Sequence, residues 1–272
     1  MEGRELQSES GLSVRDVTVS FGGITALDNV SADVAAGEVL GVIGPNGAGK
    51  TTLFNVICGF VKPDSGTLEW RGQPIGRIHP NRLPQMGIAR TLQGVGLFPS
   101  LTVRENVMAG AHRFRRAGVL SALLALPRSD RDERALRERA DEALARVDCG
   151  TIGDRLPLTL PYAVQKRVAM ARALASEPEL LLLDEPAGGL DAGELSELAQ
   201  LIETLGQSIA VMLVDHHMDL VTSVCDRVVV LDFGRVIASG PPPAIRQDPR
   251  VLDAYLGEVA EPVVSAGDGG AS

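Results

Sequence analysis

The chain has 272 residues, 44% of them hydrophobic, and carries a formal net charge of −9. That composition is globular rather than disordered, and the acidic balance argues against a nucleic-acid duplex as the main partner. No apolar run approaches the ~18–20 residues of a bilayer span, the longest being 119–126, and the first six residues lack the apolar core of a signal peptide. The chain therefore reads as soluble and cytoplasmic. Cys58, Cys149 and Cys225 are widely spaced and form no CxxC pair, which suits buried thiols.

In chain order, residues 14–21 alternate with the period of a half-buried strand, and Gly22-Gly23 ends it. A second strand is predicted over 26–34. The apolar stretch 39–43 then runs straight into Gly44-Pro45-Asn46-Gly47-Ala48-Gly49-Lys50-Thr51-Thr52. A glycine-rich loop between a strand and a helix, the latter expected from about 51 to 58, is the phosphate-binding P-loop. Its glycines let successive N–H groups turn inward at an anion. Lys50 adds a point charge for the β- and γ-phosphates, the Thr51 hydroxyl is placed for Mg²⁺, and the helix directs its positive end at the same phosphates. This is a nucleoside-triphosphate site.

Further on, 67–70 reads as a strand. Between 94 and 178 no strand is convincing, and 129–147 is dense in Arg, Asp, Glu, Ala and Leu at helical spacing. The basic stretch 112–116 beside the apolar octet 119–126 reads better as a solvated turn and a packed helix than as a membrane-surface element. Continuous apolar runs at 180–183, 209–214 and 227–231 have the pattern of strands covered on both faces, with helices near 192–205 and 217–224. The expected fold is α/β: a P-loop NTPase core (RecA-like) with a mixed sheet, an antiparallel β part at the front and an inserted α-helical subdomain. The core spans 12–93 and 179–240, the helical subdomain 94–178 and C-terminal helices 241–257, all in one domain; 258–272 is expected to be disordered.

Asp184 and Glu185 end the 180–183 run, expected to lie beside the P-loop strand. Asp184 suits a Mg²⁺-holding role, and Glu185 could polarise an attacking water as general base. His216 follows the 209–214 strand, whereas the side chain of His217 is expected to point elsewhere. The adjacency of the two histidines also argues against their sharing a metal ion.

With these landmarks the chain, from about 12 to 257, resembles the ATP-binding cassette (ABC) ATPases. The resemblance implies that Phe21 stacks on adenine, that Gln93 in Arg90-Thr91-Leu92-Gln93 contacts the metal-bound water and reports to the helical subdomain, and that His216 is the switch histidine on the γ-phosphate. Leu160-Pro161-Tyr162-Ala163-Val164-Gln165 matches the signature segment, which in that family caps ATP held by another subunit. A loop ending in Leu190-Asp191 completes the set. The cofactors implied are ATP and Mg²⁺; the partners are separate transmembrane permease subunits, a second cassette subunit in a hetero- or homodimer, and indirectly a solute-binding protein. The place implied is the cytoplasmic face of the membrane.

Val19-Ser20-Phe21-Gly22-Gly23, the segment 87–93, Leu97-Phe98-Pro99 and the end 248–257 look like the branched-chain amino-acid importers in particular. The insertion around 112–130 resembles the larger of that group's two cassette subunits. The permease contact is expected near 94–112. The signature departs from the common Leu-Ser-Gly-Gly-Gln: the serine hydroxyl and both glycines are missing, and Pro161 has no N–H. A weaker composite site at this signature is the expectation.

Overall fold

Two long antiparallel strands, β1 (Ser10–Phe21) and β2 (Ile24–Ala35), open the computed structural model, which describes residues 10–76, 78–91, 94–114 and 127–259. β1 starts earlier than its alternation suggests, because Leu12 pairs with Val34 on one side and with Trp70 on the other. A left-handed Asp16 and a register shift between Val14 and Val17 break the period-2 pattern from which its start was read. β3 (Val39–Ile43) leads to α1 (Lys50–Ile57), and the hairpin β4 (Ser65–Trp70) and β5 (Gln73–Ile75) follows. The antiparallel part is a separate four-stranded sheet, β2-β1-β4-β5.

A three-residue strand, β6 (Ile88–Arg90), is not legible as a strand in the sequence. It exists because Ile88, Ala89 and Arg90 pair in parallel with Leu180, Leu181 and Leu182. Beyond it the described residues between 94 and 178 form helices and turns. α2 (Val103–Gly110) begins with a capping box between Thr102 and Glu105, and α3 (Pro127–Ala145) and α4 (Tyr162–Leu174) pack with it. Their shared interior holds Val103, Val107, Ala140, Leu144, Val168 and Ala171, the small alanines letting the helices approach closely. Asn106 is fully buried there and ties the preceding loop to α2: its Oδ1 accepts from Phe98 N–H, and its Nδ2 donates to the carbonyls of Phe98, Leu101 and Thr102. The basic stretch is partly seen. Arg113 donates to the Pro84 carbonyl, and Arg139 lies 3.8 Å from the Phe114 ring centroid; 115–126 lies outside the described residues.

The chain returns to the core through β7 (Leu180–Asp184), α5 (Ala192–Gly206), β8 (Ala210–Val214), α6 (Met218–Val224), β9 (Arg227–Asp232) and β10 (Arg235–Gly240). These make a six-stranded sheet ordered β10-β9-β3-β8-β7-β6, parallel except for β10. β3, β7, β8 and β9 are buried on both faces, which is why they read as unbroken apolar runs. Alternate residues serve two cores. Leu181, Leu183, Val211 and Leu213 face the helical side, and Leu180, Leu182, Met212 and Val214 face α1 and the antiparallel sheet. The order carries one correction: β8 lies between β3 and β7, so Asp184 does not end the strand beside the P-loop strand.

α7 (Pro242–Ile245) and α8 (Pro249–Val259) close the described chain. α8 includes Glu258 and Val259, the first two residues of the stretch predicted to be disordered, and 260–272 lies outside the described residues. Among the described residues no helix is long and apolar enough to cross a membrane.

Candidate nucleotide site

The P-loop leaves the carboxyl end of β3, at the centre of the parallel sheet. Gly44 has φ +148°, and a Cβ there would lie 2.0 Å from the Leu231 carbonyl oxygen, so β9 and the loop approach each other only because this residue is glycine. From outside, the β9–β10 turn braces the loop: Gly234 N–H donates to Ala48 O at 3.1 Å, and Asp28 N–H donates to Gly234 O at 2.8 Å. Pro45 and Ala48 are buried by this bracing, while Asn46 and Gly47 face outward. Gly49 is the N-cap of α1, its carbonyl accepting from Leu53 N–H at 2.9 Å. Lys50 folds back over the loop, donating to Gly44 O at 2.6 Å and Pro45 O at 2.7 Å. Thr51 is exposed and Thr52 half-buried in the first turn of α1, where the helix presents free N–H groups and its positive end. Phe21 sits at the tip of the β1–β2 hairpin, 50% exposed, a ring available to stack on a base.

Asp184 ends β7 and is reached from α1 through a residue the sequence reading passed over. Arg90, on β6, donates through Nη1 to Asn55 Oδ1 of α1 at 2.9 Å and through Nη2 to Asp184 Oδ2 at 2.6 Å. Asp184 is buried and Arg90 largely so, their side chains 3% and 13% exposed. Burial alone would pull the guanidinium pKa down; the hydrogen bond and charge of Asp184 overcome this and hold it above the ordinary arginine value. The same burial raises the neighbouring Cys58 thiol against the pull of Arg90. Gln93, three residues beyond Arg90, lies outside the described residues.

Glu185 follows with φ +47°, a left-handed backbone unusual for a side chain of its size. Its N–H donates to Val214 O at 2.8 Å, and its carbonyl accepts from Lys166 Nζ at 3.2 Å. His216 leaves β8, the immediate neighbour of the P-loop strand, with its side chain 57% exposed. The fully buried Asp215 organises this corner. Its Oδ1 accepts from the N–H groups of His216 (2.8 Å) and His217 (3.0 Å), and lies 2.6 Å from His217 Nδ1. Its Oδ2 accepts from Ala187 N–H at 2.9 Å, in the loop ending at Asp191. Two expectations are corrected here. His217 does not point away from His216, their ring centroids being 4.2 Å apart, and the pair does gather with Asp215 into a cluster whose potential ligand atoms lie within 4.8 Å of one another. The cause is the shared carboxylate, whose oxygens are spent on orienting two loops. The signal for Asp215 was present in the sequence as an acid directly after a buried apolar strand.

The segment 160–165 opens α4. Leu160 is buried and Pro161 is the N-cap, while Tyr162 stands 44% exposed with Ala163 and Val164 behind it. Gln165 Nε2 turns back to donate to Leu160 O at 2.9 Å.

A braced glycine loop at the centre of a parallel sheet, with acidic and histidine strand ends at the same edge, defines a P-loop nucleoside triphosphatase. The family described as ABC transporter matches residues 27–188, and the family described as branched-chain amino acid ATP-binding cassette transporter matches residues 235–261. Over 253 residues the chain is 39% identical to the high-affinity branched-chain amino acid transport ATP-binding protein LivG of Escherichia coli K12, covering 92% of this chain and 99% of that one. Among solved structures it is similar to the ADP conformation of MJ1267, an ATP-binding cassette of an ABC transporter. There the TM-score is 0.80 and the identity 31%, over 92% of this chain and 99% of the other. It is also similar to MJ0796, a cassette solved as a dimer bound to ADP and Pi, with a TM-score of 0.70 and 26% identity over 85% and 98% of the two chains. The chain belongs to the ABC transporter family, as one of its ATP-binding, ATP-hydrolysing subunits.

Proposed function

We propose that this subunit powers the import of branched-chain or other hydrophobic amino acids, acting from the cytoplasmic face of the membrane through separate permease chains. The observation that carries the substrate class is the match of residues 235–261 to the branched-chain cassette family, supported by the likeness to LivG. In this reading Phe21 stacks on adenine, the loop 44–52 wraps the phosphates, and Lys50 exchanges its loop carbonyls for phosphate oxygens. The oxygen donors of Thr51 and Asp184 suit the hard cation Mg²⁺, with Gln93 as the third residue of that set. When bound, Mg²⁺ supplies charge neutralisation on the β- and γ-phosphates. Glu185 polarises the attacking water, and His216 holds it in line with the γ-phosphate.

The other half of each site comes from the signature segment 160–165 of a second cassette subunit, in a heterodimer favoured by the unusual Ala163 and Val164, a homodimer being the alternative. The permease fits the groove between the helical elements and β6, which is lined by Phe60, Pro84, Phe98, Arg113 and Arg172 and leaves both phenylalanines exposed. A solute-binding protein completes the system, and no nucleic acid takes part. The test is reconstitution of the full transporter in proteoliposomes. Leucine, isoleucine or valine should enter with ATP and stimulate hydrolysis, and Glu185→Gln should keep ATP binding while losing turnover at least 100-fold. Stimulation by an unrelated solute alone would refute the substrate class.

A further inference from the structure

Lys166 lies on α4 one turn beyond Tyr162, and its ammonium reaches out of the helical part into the core. It donates to Pro186 O at 2.8 Å and Glu185 O at 3.2 Å, and sits 5.4 Å from the Tyr162 ring centroid. The two carbonyls follow directly on Asp184, and Glu185 holds a left-handed φ that costs a non-glycine residue about 1–2 kcal/mol. Such a conformation persists only where its surroundings fix it. Here the fixing groups are Val214 O on the amide side of the residue, and on the carbonyl side Lys166 at 3.2 Å together with Gly188 N–H at 3.3 Å, of which only Lys166 comes from outside the loop.

We propose that Lys166 is a positioning residue for hydrolysis: it ties the signature helix α4 to the backbone of Glu185 and Pro186, and thereby holds Glu185 in its working orientation. Tyr162 and Lys166 are successive members of one helix face, so a shift of α4 moves the ammonium relative to both carbonyls. The first turn of the signature helix and the water-polarising carboxylate are thus mechanically one unit. A lysine suits this work because its three donors can serve two carbonyls and a ring face together. Burial pulls the ammonium pKa below its ordinary value, and the charges of Asp215 and Glu185 offset only part of that pull.

The inference rests on the reading of Glu185 as the water-polarising group, and the experiment separates the two. In the assembled transporter, Lys166→Met should lower kcat about 10- to 100-fold, the effect of misplacing a catalytic group, while ATP affinity stays within about twofold. Lys166→Arg, which keeps donors for both carbonyls, should recover most of the loss. In a Glu185→Gln background Lys166→Met should cost nothing further, since the residue it positions is already disabled. If Lys166→Met fails to assemble, Lys166→Gln takes its place in the same comparisons. An unchanged kcat, a parallel fall in affinity, or a full additional loss in the Glu185→Gln background would each overturn the proposal. Wild-type turnover in Glu185→Gln alone would instead refute the glutamate assignment, and the positioning role with it.

Discussion

Arg90→Leu is the substitution whose consequence follows most directly from the geometry. The guanidinium joins three elements: β6 that carries it, α1 through Asn55 at 2.9 Å, and β7 through Asp184 at 2.6 Å. It also lies 5.7 Å from the Phe54 ring centroid. Removing one partner of a buried ion pair costs about 3–5 kcal/mol, because the other charge is left uncompensated. The lost bond to Asn55 adds about 1 kcal/mol. A domain has about 5–15 kcal/mol in total, so the variant should lose about a quarter or more of its stability. Asp184→Asn alone should be costly for the mirror reason, stranding the guanidinium. The double variant removes both charges, and its cost should fall short of the sum of the singles by about 2–3 kcal/mol. Urea denaturation of the four proteins, followed by circular dichroism at one pH, measures this coupling. A coupling within about 0.5 kcal/mol of zero would show that the two charges do not depend on each other, and the reasoning would fail.

Two further predictions concern the loop and a buried thiol. Gly44→Ala should abolish nucleotide binding, because its methyl group would meet the Leu231 carbonyl at 2.0 Å, whereas Gly47→Ala, at φ +79° with open space around it, should cost only about 1–2 kcal/mol; equal effects on binding of a fluorescent ATP analogue would refute the distinction. The Cys225 thiol is pushed up to about 12 by burial and by the charges of Asp226 and Asp215. In the unfolded chain it ionises near about 8.5, so its contribution to stability is complete below that pH and is lost as pH climbs towards the folded value, by up to about 1.4 kcal/mol per unit. The stability deficit of Cys225→Ala should therefore shrink between pH 7.5 and 9.5, and a constant deficit would count against the assignment.

What the sequence disclosed and what it withheld divide by distance along the chain. The P-loop, Asp184 with Glu185, and His216 are legible because each places its chemistry within a few residues of a strand end. The apolar runs of β3, β7, β8 and β9 are legible because both faces of each strand are covered. β6 escapes notice because three residues carry no periodicity, and its existence depends on β7 lying beside it. β10 escapes for a similar reason, since it is held by a turn from β9 and alternates little. The strand order is a property of the crossovers, and nothing local says that β8 separates β3 from β7. The residues that hold the site in shape are the least legible. Arg90 meets Asp184 across 94 positions, Asp215 meets Ala187 across 28, and Lys166 meets Pro186 across 20. In each case the partner lies too far along the chain for any local pattern to mark the pair.

The three acids at the edge of the parallel sheet are stabilised in three different ways, and the differences bear on how the site works. Asp215 is satisfied within its own corner, by backbone N–H groups and His217, so its geometry is fixed by the strand ends themselves. Asp184 is matched by a cation from β6, so a shift of this carboxylate bears directly on the strand that leads into the helical part. Glu185 has its backbone fixed at both ends, by β8 through its N–H, and through its carbonyl by Lys166 of α4 and the N–H of Gly188 in its own loop. Two of the three acids are thus tied to segments that bound the helical part of the molecule, one at its entry and one through α4. Rotation of those helices against the core would draw on Arg90 and Lys166 together, and would disturb Asp184 and the backbone of Glu185 in one movement. Turnover should then respond to a helical shift more steeply than ATP affinity does, because the P-loop is braced by Gly234, Ala26 and Leu231, all of which belong to the core.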